Sequence, residues 1–202
     1  MTAPAPARFR VLHVCTGNIC RSPMAEYLMW AGLDARLGEQ ADRFLVESAG
    51  TWGHTGSPME PFALRTLEAY GVDGRDFQAR ELEPEHVVAA DLVLGATREH
   101  RVAAVVLQPR AAARTFTLRE FARLCAAVDP ARLPEDDVAE RAAALVRAAA
   151  ANRGLVPPAR PRDDDLDDPY HAPEHAFSAC GELVEASLRG VVDLLAPRHR
   201  VA

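Results

Sequence analysis

The chain has 202 residues, of which 49% are hydrophobic and 26% are charged, and its formal net charge at pH 7 is −6. This composition is typical of a globular protein and predicts one domain, residues 1–202, whose core needs no crosslinks. The negative charge argues against nucleic-acid and anionic-membrane partners, and no apolar run approaches the ~20 residues that span a bilayer. Because the first residues lack a signal-peptide pattern and the four cysteines make no disulfide framework, we expect a cytoplasmic protein.

Short strands and helices alternate along the chain, after an N-terminus (residues 1–8) that is expected to be flexible. The apolar, β-branched run Phe9–Cys15 predicts the first strand, and Ser22–Leu37 predicts the first helix. The alternation predicts an α/β fold in which a doubly wound, four-stranded parallel sheet carries helices on both faces. The further predicted elements are a strand over Phe44–Ser48, a helix over Glu60–Tyr70, a strand over Asp91–Leu94, a helix over Glu99–Leu107 capped by Thr97, and a strand over Thr115–Leu118.

The segment Cys15–Pro23 joins the first predicted strand to the first predicted helix and reads Cys-Thr-Gly-Asn-Ile-Cys-Arg-Ser-Pro. Phosphate binds readily at such a helix start, where unpaired N–H groups and the helix dipole face the anion. Gly17 and Asn18 tolerate the backbone conformations that a tight loop requires. Arg21 can hold two phosphate oxygens at once, and Ser22 can donate a hydrogen bond to the thiolate that begins the segment. These residues predict a phosphate-binding loop with a cysteine nucleophile.

Three segments in this order resemble the low-molecular-weight protein tyrosine phosphatase family: the loop described above, Glu47–Thr51 and Asp167–Tyr170. The resemblance covers about residues 8–121 and 163–196. It implies hydrolysis of phosphomonoesters, foremost phosphotyrosine in proteins, without a metal ion or a cofactor. The Ala- and Arg-rich composition indicates a bacterial source, and the resemblance implies a phosphotyrosine-containing protein, such as a bacterial tyrosine kinase, as the substrate.

The resemblance also implies roles for single residues. Cys15 would attack phosphorus, Arg21 would bind the phosphate, and Asp168 would protonate the leaving oxygen and then activate water. Asp167 is the alternative to Asp168 as the acid. The residues implied to surround the substrate are Thr16, Gly17, Asn18, Ile19, Cys20 and Ser22 in the loop and Trp52, His54 and Tyr170 in the walls, with Ser48 and Gln78 supporting the loop by hydrogen bonds.

Two positions depart from the family pattern. Gln78 stands where the family often has a histidine, and His171 stands where many relatives have a second aromatic residue.

Cys20 either forms a reversible disulfide with Cys15, as in similar enzymes, or is a small buried apolar side chain. His171 and His175 are spaced i, i+4, but no further ligands accompany them, so no metal site is expected.

The segment 122–160 is longer than the connection that the family normally has at this point, and we interpret it as a helical insertion. Asp136 and Asp137 begin a helical pattern that ends near Gly154. A surface helix packed on the edge of the sheet is expected. A lid that gates the site, or an element that docks a partner, is the alternative.

Two other functions compete with the phosphatase interpretation. An arsenate reductase can have a similar fold and the same Cys-x5-Arg spacing, and it needs a reductive relay or a small-thiol partner. A phosphate-binding regulator could carry a catalytically retired site. The intact set of Cys15, Arg21 and Asp168 favours the phosphatase over both.

Overall fold

The computed structural model describes residues 8–158 and 160–196. Of the N-terminal segment expected to be flexible, only Arg8 falls inside these ranges. Four parallel strands form one sheet in the order β2-β1-β3-β4. The strands are β1 (Phe9–Cys15), β2 (Phe44–Gly50), β3 (Leu92–Gly95) and β4 (Thr115–Thr117), and the helices are α1 (Arg21–Leu37), α2 (Pro61–Ala69), α3 (Pro84–Ala89), α4 (Arg98–Leu107), α5 (Leu118–Cys125), α6 (Val138–Ala151) and α7 (Glu174–Leu195).

The doubly wound parallel sheet predicted from the sequence is confirmed. β1 pairs with β2 on one side and with β3 on the other, and all three pairings are parallel. Apolar residues of β1 are buried on both sides of the sheet, since Val11 belongs to one hydrophobic cluster and Leu12 and Val14 belong to another. Such a strand is typical of a parallel sheet that helices cover on both faces. The larger cluster lies under α1, α2, α5 and α7, and the smaller one lies under α3 and α4.

Helices α3 and α5 have no counterpart among the predicted elements. The strand predicted over Thr115–Leu118 ends one residue early because Thr117 caps α5. Its side-chain oxygen accepts a hydrogen bond from the N–H of Glu120 (3.0 Å), and the Glu120 carboxylate accepts one from the N–H of Thr117 (3.2 Å). This reciprocal capping box begins a helix where the apolar pattern alone resembles a strand. Within the described ranges, no helix is both long enough and apolar enough to cross a bilayer.

Helix α6 lies at the end of the sheet where the strands begin. At its start, Asp137 forms an ion pair with Arg43 (2.8 Å), the residue before β2. Just beyond its end, Arg153 donates hydrogen bonds to the carbonyl of Ala112 (2.9 Å) and to the carbonyl of Thr115, the first residue of β4. Because β2 and β4 are the two outer strands, α6 spans the sheet from one edge to the other at its N-terminal end.

The helix predicted within residues 122–160 is therefore present, but it does not pack on one edge of the sheet as expected. Its buried face (Arg141, Ala142, Leu145, Val146 and Ala149) belongs mostly to the larger hydrophobic cluster, next to α5 and α7. Cys15 lies at the opposite, C-terminal end of β1. The geometry thus places α6 where it cannot close over the site as a lid.

Candidate active site

Cys15 is the last residue of β1, between the ends of the two strands that flank it. The chain leaves β1 toward β2 on one side and returns to β3 on the other, so this position is the switch point of the sheet. Ligands of doubly wound sheets bind in the crevice at such a point. The loop of residues 16–20 then leads directly into α1, whose first residue is Arg21.

The carbonyl groups of this loop are held by the segment that follows β2. The four hydrogen bonds run from Thr51 N to Cys15 O (2.9 Å), from Trp52 N to Thr16 O (2.9 Å), from His54 N to Gly17 O (3.0 Å) and from Glu60 N to Ile19 O (2.8 Å). In a trans peptide the N–H of the next residue points away from the carbonyl. The N–H groups of residues 16, 17, 18 and 20 therefore point away from that segment, which makes them available as donors to an anion.

Gly50, the last residue of β2, allows the loop to approach the sheet closely. A Cβ atom at this position would lie 2.8 Å from the backbone nitrogen of Asn18 and would also collide with the carbonyl oxygen of Thr16. Both are backbone atoms, so neither can rotate away. The close approach of the loop backbone at Thr16 and Asn18 thus requires glycine at position 50.

Asn18 is fully buried, has a φ of 54°, and orders the hydrogen bonds around the thiol. Its Oδ1 accepts from the N–H of Arg80 (2.8 Å), which fixes the orientation of the amide because a backbone N–H can only donate. Its Nδ2 then donates to Ser22 Oγ (2.9 Å) and to Ser48 Oγ (2.7 Å). Ser22 Oγ lies 3.0 Å from Cys15 Sγ, so its own hydrogen is directed to the sulfur. The chain of donors therefore ends on Cys15 Sγ, a geometry that favours the thiolate form.

Glu26 and Arg80 extend this network, and the sequence analysis identified neither of them. Ser48 Oγ donates to Glu26 Oε2 (2.5 Å), and the Arg80 guanidinium donates to the carbonyl of Ser48 (2.7 Å) and to Glu47 (3.2 Å). Burial raises the pKa of Glu26 to about 7, although the Ser48 hydrogen bond and the charge of Arg80 act in the opposite direction. Glu26 lies one helical turn after Ser22, so helix periodicity alone could have indicated it.

Gln78 does not join this network, which corrects the role implied for it by the resemblance. Its side chain is exposed, whereas its neighbours Phe77 and Ala79 are 7% and 2% exposed. The alternation of an extended segment turns Phe77 and Ala79 inward and Gln78 outward. The contact with Asn18 comes instead from the backbone of Arg80.

Arg21 and Asp168 meet at the mouth of the site. Arg21 is 4% exposed; its guanidinium donates to the carbonyl of Leu166 (3.1 Å) and to Thr16 Oγ1 (3.3 Å), and it forms an ion pair with Asp168. Its buried Nε has no hydrogen-bond partner within the described residues. A buried guanidinium N–H without an acceptor is costly, and one phosphate oxygen would satisfy it. The other oxygen of Asp168 accepts from the N–H of Tyr170 (3.2 Å), which orients the carboxylate.

His100 is a further residue that the sequence analysis did not identify. Its Nδ1 accepts from the N–H of Thr97 (3.2 Å), so its Nε2 carries the hydrogen that is donated to Thr16 Oγ1 (3.0 Å). Burial, and then the charge of Arg21, lowers the pKa of His100 to about 4. His100 is therefore a neutral donor that holds Thr16 against Arg21. His100 is far from the loop in the sequence, so no local pattern indicates this contact.

The candidate substrate pocket has a volume of about 160 Å³. The lining residues, all of them among the candidate site residues given above, are Cys15, Thr16, Gly17, Ile19, Cys20, Arg21, Trp52, His54, Asp168 and Tyr170. The rings of His54 and Tyr170 face each other edge to face, with centroids 6.4 Å apart. Trp52 stands at the rim, where its side chain is 81% exposed. The pocket is a narrow slot that leads to the buried sulfur.

All four cysteines are buried and free. Burial, and then the negative charge that Cys15 can carry, raises the pKa of the Cys20 thiol well above its ordinary value. Burial alone raises the pKa of the Cys125 thiol in the same direction, and burial is also the main cause for Cys180.

Comparison with known proteins agrees with this geometry. The family model described as low molecular weight phosphotyrosine protein phosphatase matches residues 10–150, a range that ends before Asp168. The low molecular weight protein-tyrosine-phosphatase of Streptomyces coelicolor is 34% identical over 195 residues, 96% of each chain, so the segment 122–160 lies within the matched span. The protein-arginine-phosphatase of Geobacillus stearothermophilus is 35% identical over 113 residues, which cover 56% of this chain and 71% of that protein.

Among solved structures, the low molecular weight protein tyrosine phosphatase from T. tengcongensis superposes with a TM-score of 0.66 at 27% identity, over 92% of this chain and 98% of that one. Fold, loop and sequence similarity therefore agree, and the chain belongs to the low molecular weight phosphotyrosine protein phosphatase family, a family of hydrolases.

Proposed function

We propose that this protein hydrolyses phosphotyrosine in proteins, with Cys15 as nucleophile, Arg21 as phosphate ligand and Asp168 as general acid and base. The observation that supports these roles most strongly is the hydrogen-bond chain that ends on Cys15 Sγ, opposite the Arg21–Asp168 pair. A serine that donates to sulfur stabilises the thiolate both before attack and when the thiolate leaves again.

The reaction proceeds in two displacements. Cys15 Sγ attacks phosphorus and the bond to the phenolic oxygen breaks, while the protonated carboxyl of Asp168 gives its proton to that oxygen. The Asp168 carboxylate then takes a proton from water, whose oxygen attacks the cysteinyl-phosphate, and phosphate and the thiolate are released. Arg21 and the loop N–H groups bind the equatorial oxygens in both steps, so the developing negative charge meets fixed donors.

The slot supports an aromatic substrate. A pocket of about 160 Å³ between the rings of His54 and Tyr170 fits one phenyl ring with its phosphate directed at Cys15. Trp52 at the rim provides an exposed aromatic face for the residues next to the phosphotyrosine. A cytoplasmic phosphoprotein, such as a bacterial tyrosine kinase, is the substrate that we propose.

Hydrolysis of p-nitrophenyl phosphate, with chelator and reductant present, tests the roles of the three residues. Cys15→Ser should have no measurable turnover, and Asp168→Ala should lose about 10²–10⁴-fold in kcat, the usual contribution of a general acid. Asp167→Ala is the matched control because it removes the neighbouring carboxylate, and it should retain activity. Equal losses in the two aspartate variants, or turnover by Cys15→Ser, would contradict the assignment.

A second substrate class, phosphoarginine in proteins, is favoured by the similarity to the protein-arginine-phosphatase. The value of kcat/KM for matched peptides that carry phosphotyrosine or phosphoarginine decides between the two. Arsenate reduction is tested in the same preparation: arsenate-dependent consumption of reductant without phosphatase turnover would favour it.

A further inference from the structure

The hydroxyl group of Thr16 stands beside the nucleophile, in the lining of the catalytic pocket. Its oxygen accepts two hydrogen bonds, one from Nη2 of Arg21 (3.3 Å) and one from Nε2 of His100 (3.0 Å). A hydroxyl oxygen has two lone pairs, so both are occupied by donors. The hydroxyl hydrogen of Thr16 is therefore left to donate, and the described residues offer no acceptor within hydrogen-bond distance.

The direction of the bond between His100 and Thr16 is fixed by the cap of α4. The N–H of Thr97 donates to Nδ1 of His100 (3.2 Å), and the Thr97 hydroxyl lies 2.8 Å from the same atom. Nδ1 therefore carries the lone pair and Nε2 carries the hydrogen. Because this tautomer cannot accept at Nε2, the hydroxyl hydrogen of Thr16 cannot turn toward the ring.

The start of α4 is held against the end of β3, and this packing fixes the position of His100. A Cβ atom at Gly95 would lie 2.8 Å from a backbone nitrogen of α4 and 3.1 Å from the Cβ of His100, so the first turn of the helix packs directly on the strand. Gly95 is the partner of Val14, the residue before Cys15. His100 is also buried, at 6% exposure. The ring is therefore a rigid support for Thr16.

We propose that the Thr16 hydroxyl donates to an oxygen of the bound phosphoryl group, and that His100 is the positioning residue that directs it there. This inference rests on the proposed function, in which the phosphoryl group is bound over Cys15. Phosphoryl oxygens accept hydrogen bonds, and Thr16 already faces their site with its backbone N–H and through its contact with Arg21. The side chain adds a further donor to those of the loop backbone, and a donor that is already oriented needs no rearrangement when charge develops on these oxygens.

A second histidine provides a matched control for the capping role. His86 is the third residue of α3, as His100 is of α4, and its Nδ1 accepts a hydrogen bond from the N–H of Glu83 (3.1 Å). The Nε2 of His86 makes no hydrogen bond among the described residues. Removal of His86 therefore measures the loss of a capping histidine, and removal of His100 measures the same loss together with the contact to Thr16.

Calorimetric titration with inorganic phosphate, at pH 7 with reductant present, tests the contact without turnover. Thr16→Val should weaken phosphate binding at least about tenfold, the effect of one hydrogen bond to a charged group, whereas Thr16→Ser should stay within about threefold of the unmodified protein. His100→Leu should weaken binding about three- to tenfold, and His86→Leu should leave it unchanged. His100→Gln should restore most of the affinity, because an amide can accept from Thr97 and donate to Thr16.

A double-mutant cycle tests whether His100 acts through the hydroxyl. His100→Leu should have no further effect on phosphate binding in a protein that already carries Thr16→Val, whereas a role in folding alone would cost the same in both backgrounds. Circular dichroism confirms that each variant is folded. Unchanged phosphate binding in Thr16→Val, or an equal loss from His100→Leu in both backgrounds, would overturn the inference. Failure of the unmodified protein to bind phosphate would overturn the proposed function as well, so the two failures are distinguishable.

Discussion

Replacement of Asn18 should show how much the phosphate loop depends on one buried amide. Asn18→Ala removes three hydrogen bonds, to the Arg80 N–H and to Ser22 and Ser48, and it places alanine at a φ of 54°. At about 1 kcal/mol for each bond and a further ~1 kcal/mol for the left-handed backbone, the free energy of unfolding should fall by about 3–5 kcal/mol. This is a large part of the 5–15 kcal/mol that is typical of a domain.

The backbone term can be separated from the hydrogen bonds with a second variant. Asn18→Gly loses the same three bonds but adopts a positive φ freely, so it should be about 1 kcal/mol more stable than Asn18→Ala. Urea denaturation followed by circular dichroism gives both values. A loss below about 1 kcal/mol in Asn18→Ala, or an alanine variant more stable than the glycine variant, would refute the reasoning.

Three further predictions concern other parts of the molecule. Gly50→Ala should lower kcat/KM at least about tenfold, since the new methyl group collides with loop backbone; Gly190→Ala, which has open space, is the control. Arg141→Ala should lower the free energy of unfolding by about 2–4 kcal/mol, measured in urea, without changing kcat, because the carbonyls of Leu133, Pro134 and Leu194 lose their buried donor. The lowered pKa of His100 means that its contribution to stability is complete above pH 6.5 and is lost as the pH falls toward 4. The difference in the free energy of unfolding between pH 7 and pH 4.5, obtained from thermal melts, should therefore be about 2 kcal/mol smaller for His100→Gln than for the unmodified protein.

The candidate residues that the structure brings together around Cys15 are also close together in the chain. Gly17, Asn18, Arg21 and Ser22 surround Cys15 in the structure because the strand, loop and helix that carry them are continuous. In a local motif of this kind the sequence alone determines how the side chains are arranged, so its chemistry can be inferred before the fold is known.

Of the residues that were missed, Glu26 lies within α1, whereas Arg80 and His100 reach the loop from elsewhere in the chain. His100 and Arg80 contact it only after β3 and the segment before α3 have folded beside β1, and no local pattern reports these contacts. Gln78 was assigned wrongly because the inward and outward positions of an extended segment differ by one residue. For α6, the sequence pattern predicted a helix but gave no information about which elements cover it.

The position of α6 separates changes that act on the core from changes that act on the candidate active site. The helix adds buried surface at the end of the sheet where the strands begin, while the reacting groups stand at the end where they finish. A change in the connection between α5 and α6 therefore acts on the core at that end of the sheet and does not alter the loop that follows Cys15. A reporter or affinity tag inserted there, far from the mouth of the pocket, should leave substrate entry unobstructed.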